Sequence, residues 1–215
     1  MSVSTPAARK KTPVRDAERT RAAILAAATV EFTSHGFSGA SVNEVAARAQ
    51  INKRMLYHYF GNKEGLYLAV LEEAYAGIRS AENKLRLSHL PPVEAMRSLV
   101  LFTWDYFVAH PEFLSLLNTE NMHKAQHLQK SERVRDMHSP LVGMIATILK
   151  RGAEEGIFRK DVDPVQIYIS IAALGFFYLS NRHTLSTIFV RDLNAPEALD
   201  ARREHIADVV LSYLR

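Results

Sequence analysis

The fold of this chain is constrained most by residues 41–66, which read SVNEVAARAQINKRMLYHYFGNKEGL. Ser41 is followed three residues later by Glu44, a spacing typical of a capping box, and this predicts a helix that begins at Val42. Apolar residues at helical spacing give that short helix one buried face, and Ile51 can fill the turn that follows it. We therefore expect a short amphipathic helix followed by a tight turn.

A second short helix is predicted over Lys53–Phe60, with Asn52 as its N-cap. Two short helices joined by a turn of about three residues are typical of the helix-turn-helix of DNA-binding proteins. The first turn carries Lys53 and Arg54, where the helix dipole disfavours cations by about 0.3–1 kcal/mol. A phosphate would reverse that penalty, and Tyr57 and His58 can also hydrogen-bond phosphates or base edges. The alternative is a solvated basic helix in an ordinary helical bundle.

The sequence SVNEVAARAQIN followed by KRMLYHYFGNKEGL resembles the helix-turn-helix signature of TetR/AcrR-family transcriptional regulators. The resemblance covers Thr20 to Leu66, and its aromatic, lysine and glutamate positions agree in register. Gln50, Arg54 and Met55 depart from the residues that the family often has there, which leaves the operator sequence open. The candidate DNA-binding residues, in part implied by the resemblance, are Ser41, Asn52, Lys53, Arg54, Met55, Tyr57, His58 and Lys63.

The charge of the chain is unevenly distributed. The 215 residues carry a net charge of +4. Residues 1–60 hold nine Lys and Arg against four acidic residues, a net of +5, so the remainder is −1. This excess indicates a polyanionic partner, most simply double-stranded DNA. The chain contains no cysteine, which excludes disulfides, thiolate metal sites and a cysteine nucleophile.

Residues 1–14 combine basic groups with Ser, Thr, Pro and Ala, which predicts a disordered basic tail; an arm that follows the DNA is the alternative. The longest apolar run, residues 167–179, is shorter than the ~20 residues that cross a bilayer, and it predicts a helix buried nearly all round. The N-terminus lacks the apolar core of a secretory signal. We therefore expect a cytoplasmic protein without membrane contact.

Helical periodicity extends along the chain, and no alternating strand pattern occurs. It predicts an all-α protein of about nine helices, with a three-helix DNA-binding head over residues 15–62 and a larger helical domain over 63–215. The first helix is expected over 16–35, and those of the second domain over 63–87, 93–110, 112–130, 131–155, 164–182 and 196–214. The last two carry more apolar surface than one small domain can cover, which predicts a homodimer, as in the resembled family.

The second domain combines aromatic and polar residues in neighbouring helices, a combination typical of small-molecule sites. Ordinary core packing is the alternative for each aromatic residue. The predicted effector contacts are Trp104, Phe107, Asn121, His127, Phe177, Tyr178 and Asn181. His123 and His127 lie four residues apart and could bind zinc with His138 or Glu120, but without the glutamate of HExxH we expect neither metal nor cofactor.

No glycine-rich phosphate loop, nucleophile elbow or isolated carboxylate pair is present, so we do not expect an enzyme. The sequence predicts a repressor that binds a palindromic operator as a homodimer and is released by a small-molecule effector. The effector would change the separation of the two heads through the fourth helix. The alternatives are an all-helical metal-binding protein or enzyme with a nucleic-acid-binding head, and a regulator without an effector.

Overall fold

The structure is a computed structural model that describes residues 13–215, without the side chains of 13–15 and 138–139. This part of the chain forms nine α-helices and no strand, which confirms the all-α prediction. The helices are α1 Pro13–Gly39, α2 Val42–Arg48, α3 Lys53–Phe60, α4 Lys63–Asn83, α5 Pro92–Ala109, α6 Pro111–Met122, α7 Glu132–Glu154, α8 Pro164–Phe189 and α9 Pro196–Leu214. The predicted tail lies outside the described residues up to position 12, and Pro13 and Val14 belong to α1.

The described chain forms two compact units, one that ends at Val70 and one that extends over Leu71–Arg215. The division falls within α4, whereas the sequence places the boundary just before Lys63. No helix of the described chain is long and apolar enough to span a membrane.

The first unit is built on the apolar stripe of α1. Ile24 and Phe32 are fully or almost fully buried, together with Leu56 of α3. The rings of Phe32 and Tyr67 meet edge to face with their centroids 4.9 Å apart. Gly36 has φ 64° and ψ 178° and interrupts α1 directly after residue 35, the predicted end of the first helix. Glycine suits this position because a residue with a side chain is strained at a positive φ.

The N-terminus of α2 is capped by two different elements. The hydroxyl of Ser41 accepts a hydrogen bond from the N–H of Glu44 at 3.5 Å, as in the predicted capping box. In a capping box the N–H of Ser41 would also donate to the side chain of Glu44, but here it donates to Oε1 of Glu31 in α1 at 2.9 Å, so this second part of the prediction is wrong. Glu31 is buried against this end of α2, and its fixed carboxylate fulfils that role.

The second unit is organised around α5, which contacts α7, α8 and α9. Its buried residues include Leu99, Trp104 and Phe107. The prediction that α8 is buried nearly all round is wrong. One side of α8 exposes the large apolar residues Val165, Ile169, Phe177 and Ile188, because α5, α7 and α9 cover only its other side, and Phe189 is exposed in the last turn.

The segment between α5 and α7 is less regular than a single helix. The predicted helix over 112–130 ends at Met122, and a short 3₁₀ turn follows at Leu128–Lys130. Helix α7 continues through Pro140, and α8 extends to Phe189, beyond its predicted end at 182.

Candidate DNA interface and effector cavity

The orientation of helix α3 is fixed by its own N-cap and by one buried side chain. Oδ1 of Asn52 accepts a hydrogen bond from the N–H of Arg54 at 2.9 Å, as predicted for an N-cap. Leu56 is fully buried and fixes the helix to the core of the first unit. Gly61, with φ 73°, ends the helix. The remaining surface of α3 is therefore presented in a fixed orientation.

Five of the predicted DNA-binding residues form one exposed surface on α3: Lys53, Arg54, Met55, Tyr57 and His58. The side chains of Met55 and Tyr57 are 44% and 41% exposed although large parts of them are apolar. Nζ of Lys53 lies 5.7 Å from the centre of the Tyr57 ring. The first turn of α3 contains no acidic residue, so the two cations there have no intrahelical counter-charge.

The other three predicted DNA-binding residues have structural partners within the first unit. The hydroxyl of Ser41 and the amide of Asn52 cap α2 and α3. Nζ of Lys63 donates to the carbonyl of Ser38 at 3.2 Å and lies 5.2 Å from the centre of the Phe37 ring.

The second unit contains a cavity of about 470 Å³, which we call the effector cavity. It is lined by residues of α4, α5, α6 and α8 and is open to solvent on one side. Its apolar walls are Ile78, Phe107, Phe113, Leu117, Ile169, Ala172, Ala173 and Phe176. Its polar groups are Tyr75, Arg79, Glu82, Thr103, Asn121 and Tyr168. This volume and this mixture of groups are typical of small-molecule sites.

The aromatic walls of the effector cavity are held in place by ring contacts. The rings of Phe107 and Phe113 lie nearly parallel with their centroids 5.9 Å apart. The ring of Tyr75 meets Phe113 at 81° with a centroid distance of 5.5 Å. Burial raises the pKa of Tyr75 to about 12, so its phenol stays neutral near pH 7.

An ion pair on α4 lies in the wall of the effector cavity. Arg79 is 7% exposed and Glu82 is 3% exposed. Nη1 of Arg79 lies 2.9 Å from Oε2 of Glu82. Nε and Nη1 nevertheless have no hydrogen-bond acceptor in the described structure, so the contact is electrostatic and poorly aligned. Burial raises the pKa of Glu82 to about 7, and the positive charge of Arg79 offsets part of that rise.

The same pair lines a second, neighbouring cavity of about 600 Å³. That cavity is more polar, and its other charged groups are Glu132, Arg133 and Asp136 of α7. Arg79 and Glu82 therefore lie between the two cavities and contribute to both.

Two of the seven predicted effector contacts, Phe107 and Asn121, line the effector cavity. The structure does not bring the other five there. Trp104 is buried against the ring of Tyr178, whose hydroxyl donates to the carbonyl of Leu193 at 3.0 Å. Phe177 is 59% exposed, and Nδ2 of Asn181 donates to its carbonyl.

His127 is buried in a hydrogen-bonded pair with Glu120. Its Nδ1 lies 2.9 Å from Oε2 of Glu120, and its N–H donates to Oε1 at 2.8 Å. Nδ1 of His123 lies 2.8 Å from the carbonyl oxygen of Thr119. Among the described residues, no group of three or more histidine and acidic side chains could hold a metal ion, and the side chain of His138 lies outside them. These hydrogen bonds give both histidines a structural role.

Sequence reasoning missed Arg79 and Glu82. The signal was present, because Leu71, Tyr75, Ile78 and Glu82 follow one another at the spacing of a buried helical stripe. A charged residue in that register predicts a buried charge, which needs a partner or a ligand.

Comparisons with known proteins identify the family. Residues 24–70 match the bacterial regulatory proteins of the tetR family, and residues 92–210 match the tetracyclin repressor-like C-terminal domain. The chain belongs to the TetR family. Together the two matches cover both compact units of this TetR-family protein.

Individual relatives agree with this assignment. The chain is 43% identical over 208 residues to the HTH-type transcriptional repressor NicS of Pseudomonas putida, covering 96% of this chain and 98% of that protein. It is 32% identical over 162 residues to the HTH-type transcriptional repressor SCO4008 of Streptomyces coelicolor, covering 74% and 78% of the two chains. The structure of AibR in complex with isovaleryl coenzyme A and operator DNA shares the fold, with a TM-score of 0.66, 17% identity and coverage of 92% and 100%.

The prediction of a helix-turn-helix transcriptional regulator is confirmed by this family membership and by these relatives, which are named transcriptional repressors. The alternative of a metal-binding protein or enzyme with a nucleic-acid-binding head is not favoured.

Proposed function

We propose that this TetR-family repressor acts in the cytoplasm as a homodimer, by binding rather than by catalysis. Each subunit contacts one half of a palindromic operator through α3. A small organic effector enters the cavity of the second unit and releases the DNA. The observation that carries the DNA part of the proposal is the exposed surface of α3, with Lys53 and Arg54 in a first turn that contains no acidic residue.

The DNA contacts divide by chemistry. Lys53 is a flexible cation at a helix N-terminus, which suits a phosphate. Arg54 carries the planar donor fork that suits O6 and N7 of guanine, and Tyr57 and His58 can also reach base edges. Met55 is the most apolar side chain of this surface, and it suits the methyl group of thymine.

The dimer is supported by the exposed apolar side of α8. Phe177 is 59% exposed, and Ile188 and Phe189 in the last turn of α8 are 68% and 65% exposed. Val209 and Tyr213 continue the exposed apolar surface on α9. A monomer rarely leaves several large apolar side chains of two neighbouring helices in water, and two copies of α8 and α9 would cover them in a four-helix interface. The two recognition helices would then read successive major grooves about 34–36 Å apart.

Effector response is supported by the position of the cavity on α4. Tyr75, Arg79 and Glu82 belong to the same continuous helix that begins at Lys63. A ligand that moves these side chains acts on an element shared by both units. A change in the separation of the two recognition helices by a few ångströms would no longer fit successive grooves.

The first test is selection of genomic DNA fragments by the purified protein at near-physiological salt, which suppresses nonspecific phosphate binding. We expect a palindromic site. Lys53→Ala should weaken operator and nonspecific binding alike and reduce the salt slope by about one unit. Lys150→Ala, which removes an exposed lysine of α7, is the matched control and should leave the slope unchanged. Fragments bound without sequence preference would overturn the proposed repressor.

The dimer has its own test. Phe177→Asp places a charge in the apolar surface of α8 and should give monomers by sedimentation, with loss of operator affinity. Ile188→Asp is expected to do the same. If both variants remain dimers, the interface does not lie on this side of α8.

A further inference from the structure

The effector cavity has only one pair of charges in its wall, as far as the described lining residues show: Arg79 and Glu82. The following inference rests on the proposed effector function of this cavity. It concerns the chemical class of the effector, which follows from the hydrogen-bond acceptors that Arg79 lacks.

Arg79 has binding capacity that its own neighbours do not use. Its side chain is more than nine-tenths buried, and Nε and Nη1 have no hydrogen-bond acceptor within the described structure. A buried donor without an acceptor is unfavourable, and a guanidinium binds a carboxylate best through two parallel N–H···O bonds. Glu82 approaches Nη1 without aligned hydrogen bonds. A carboxylate in a better position would form the two aligned hydrogen bonds with Arg79 that Glu82 does not form.

The sign of the ligand charge follows from the same pair. A cationic ligand would place a second positive charge beside the buried guanidinium. A dianion would leave one negative charge uncompensated in an apolar cavity, which is unfavourable by several kcal/mol. One negative charge is compensated by Arg79, provided that Glu82 is neutral.

The walls favour a flat ligand. Phe107 and Phe113 are stacked, and Tyr75 and Phe176 also line the cavity. Aromatic side chains at centroid distances of about 4.5–7 Å stabilise a further ring by offset or edge-to-face contact. A volume of about 470 Å³ holds a body of one or two rings.

We propose that the effector is a flat, unsaturated or aromatic monocarboxylate whose carboxylate binds the guanidinium of Arg79 in competition with the side chain of Glu82. When the ligand binds, Glu82 takes up one proton from the solvent and no longer forms an ion pair with the guanidinium of Arg79. Burial raises the pKa of Glu82 to about 7, so this proton is readily available at neutral pH. Binding of the anion raises that pKa further, because two carboxylates then share one cation.

Other titratable or charged groups on four helices surround Glu82 and Arg79. Tyr75 on α4 and Tyr106 on α5 have raised pKa values, chiefly through burial, and stay neutral. Tyr168 on α8 faces the guanidinium of Arg79, whose Cζ lies 5.7 Å from the ring centre. Glu132, Arg133 and Asp136 of α7 line the neighbouring cavity. Affinity for the monocarboxylate should therefore change little between about pH 5, above which the ligand itself is ionised, and about pH 7, and fall as the pH rises above the pKa of Glu82.

The test is a binding panel on the full-length wild type, followed by thermal shift and calorimetry. The probes are benzoate, cinnamate and 2-naphthoate, each beside its own carboxamide, with benzylamine as the cation. At least one carboxylate should bind about 10- to 100-fold more tightly than its carboxamide, the difference expected for charge-assisted hydrogen bonds. Tighter binding of the carboxamides or of benzylamine, or binding of no carboxylate, overturns the proposal.

Variants separate a ligand-binding Arg79 from a merely structural pair. Glu82→Gln should bind the carboxylate at least as tightly as the wild type at neutral pH and lose the pH dependence. The double variant Arg79→Gln, Glu82→Gln keeps a neutral pair of similar size and should bind carboxylate and carboxamide equally. Arg133→Gln removes an exposed cation of the neighbouring cavity and is the matched control. A double variant that still prefers the carboxylate, or an unaltered pH dependence in Glu82→Gln, overturns the proposal.

The same preparations are tested for operator release, which distinguishes this proposal from the proposed function. If the wild type binds a palindrome but no carboxylate releases it from the DNA, the proposed effector class is wrong, whereas the proposed repressor function still stands. A wild type without sequence preference in DNA binding overturns the repressor itself, whatever the panel shows.

Discussion

Glu82 makes the stability of the ligand-free protein depend on pH, and Glu82→Gln tests this directly. The carboxyl is 3% exposed, and its pKa rises from 4.5 in the unfolded chain to about 7 in the folded protein. The chief cause is burial, which disfavours the ionised form, and Arg79 compensates only part of it. The native state therefore binds this proton more tightly than the unfolded state does.

The sign and magnitude follow from linkage. An acid with a raised folded pKa contributes stability that is fully present below its unfolded pKa and is lost as the pH rises through its folded pKa. The shift from 4.5 to about 7, at about 1.36 kcal/mol per unit, corresponds to a loss of about 3 kcal/mol once Glu82 is fully ionised. Glutamine resembles the protonated acid at every pH, so the variant avoids this loss.

The assay is urea unfolding of wild type and Glu82→Gln at a series of pH values. The two proteins should have nearly equal free energies of unfolding near pH 4.5, and the variant should be more stable by about 3 kcal/mol near pH 8. Glu132→Gln is the control, because Glu132 is exposed and should show no such trend. A difference between wild type and Glu82→Gln that does not change with pH would refute the reasoning.

Three further predictions concern stability measured by chemical unfolding. Asn52→Ala removes the cap of α3 and should cost about 1 kcal/mol, whereas Asn52→Asp keeps an acceptor and should be nearly neutral; equal losses in both would contradict the cap. Glu31→Leu leaves the N–H of Ser41 without its acceptor and should cost about 1–3 kcal/mol, so an unchanged midpoint would argue against that bond. Gly152→Ala places a Cβ 2.1 Å from the buried ring of Phe158 and should destabilise by about 1–3 kcal/mol, and a neutral result would show that the ring can move aside.

Residues 41–66 could be predicted closely because local chemistry sets their helix ends. Ser41 and Asn52 cap α2 and α3, and the bounds of α3 agree with the prediction residue for residue. The interruption at Gly36 is likewise local, because it depends on one positive φ. The second bond at the start of α2 was not predicted, since Glu31 lies ten residues before Ser41 and reaches it only in the folded head.

The extent of burial along α8 could not be predicted from its composition. The apolar run from 167 to 179 looks alike on all sides, yet Ile171 is buried and Phe177 is exposed. Which side meets α5 and which side faces outward depends on the packing of distant helices. The sequence indicates that the apolar surface must be covered, and only the fold shows that a single subunit leaves one side uncovered.

Only Phe107 and Asn121 of the seven predicted effector contacts line the cavity, and the reason that the other five do not is physical. Aromatic residues beside polar ones on neighbouring helices predict a small-molecule site, but Trp104 and Tyr178 pack on each other, as in the alternative of ordinary core packing. The charged pair on α4 was overlooked because charged helical residues are usually solvated.

The energetics of Arg79 and Glu82 argue that this pair is present for binding. A buried ion pair gains less from mutual attraction than its two charges lose in hydration unless the geometry is excellent and further hydrogen bonds exist. Here Nε and Nη1 lack acceptors within the described chain, and the raised pKa of Glu82 shows that burial outweighs the attraction of Arg79. An apolar pair of similar size would serve the stability of the second unit better. The pair is explained if the carboxylate of a bound effector completes the hydrogen bonds of Arg79. These bonds do not stabilise the ligand-free protein, so they contribute to the free energy of effector binding instead.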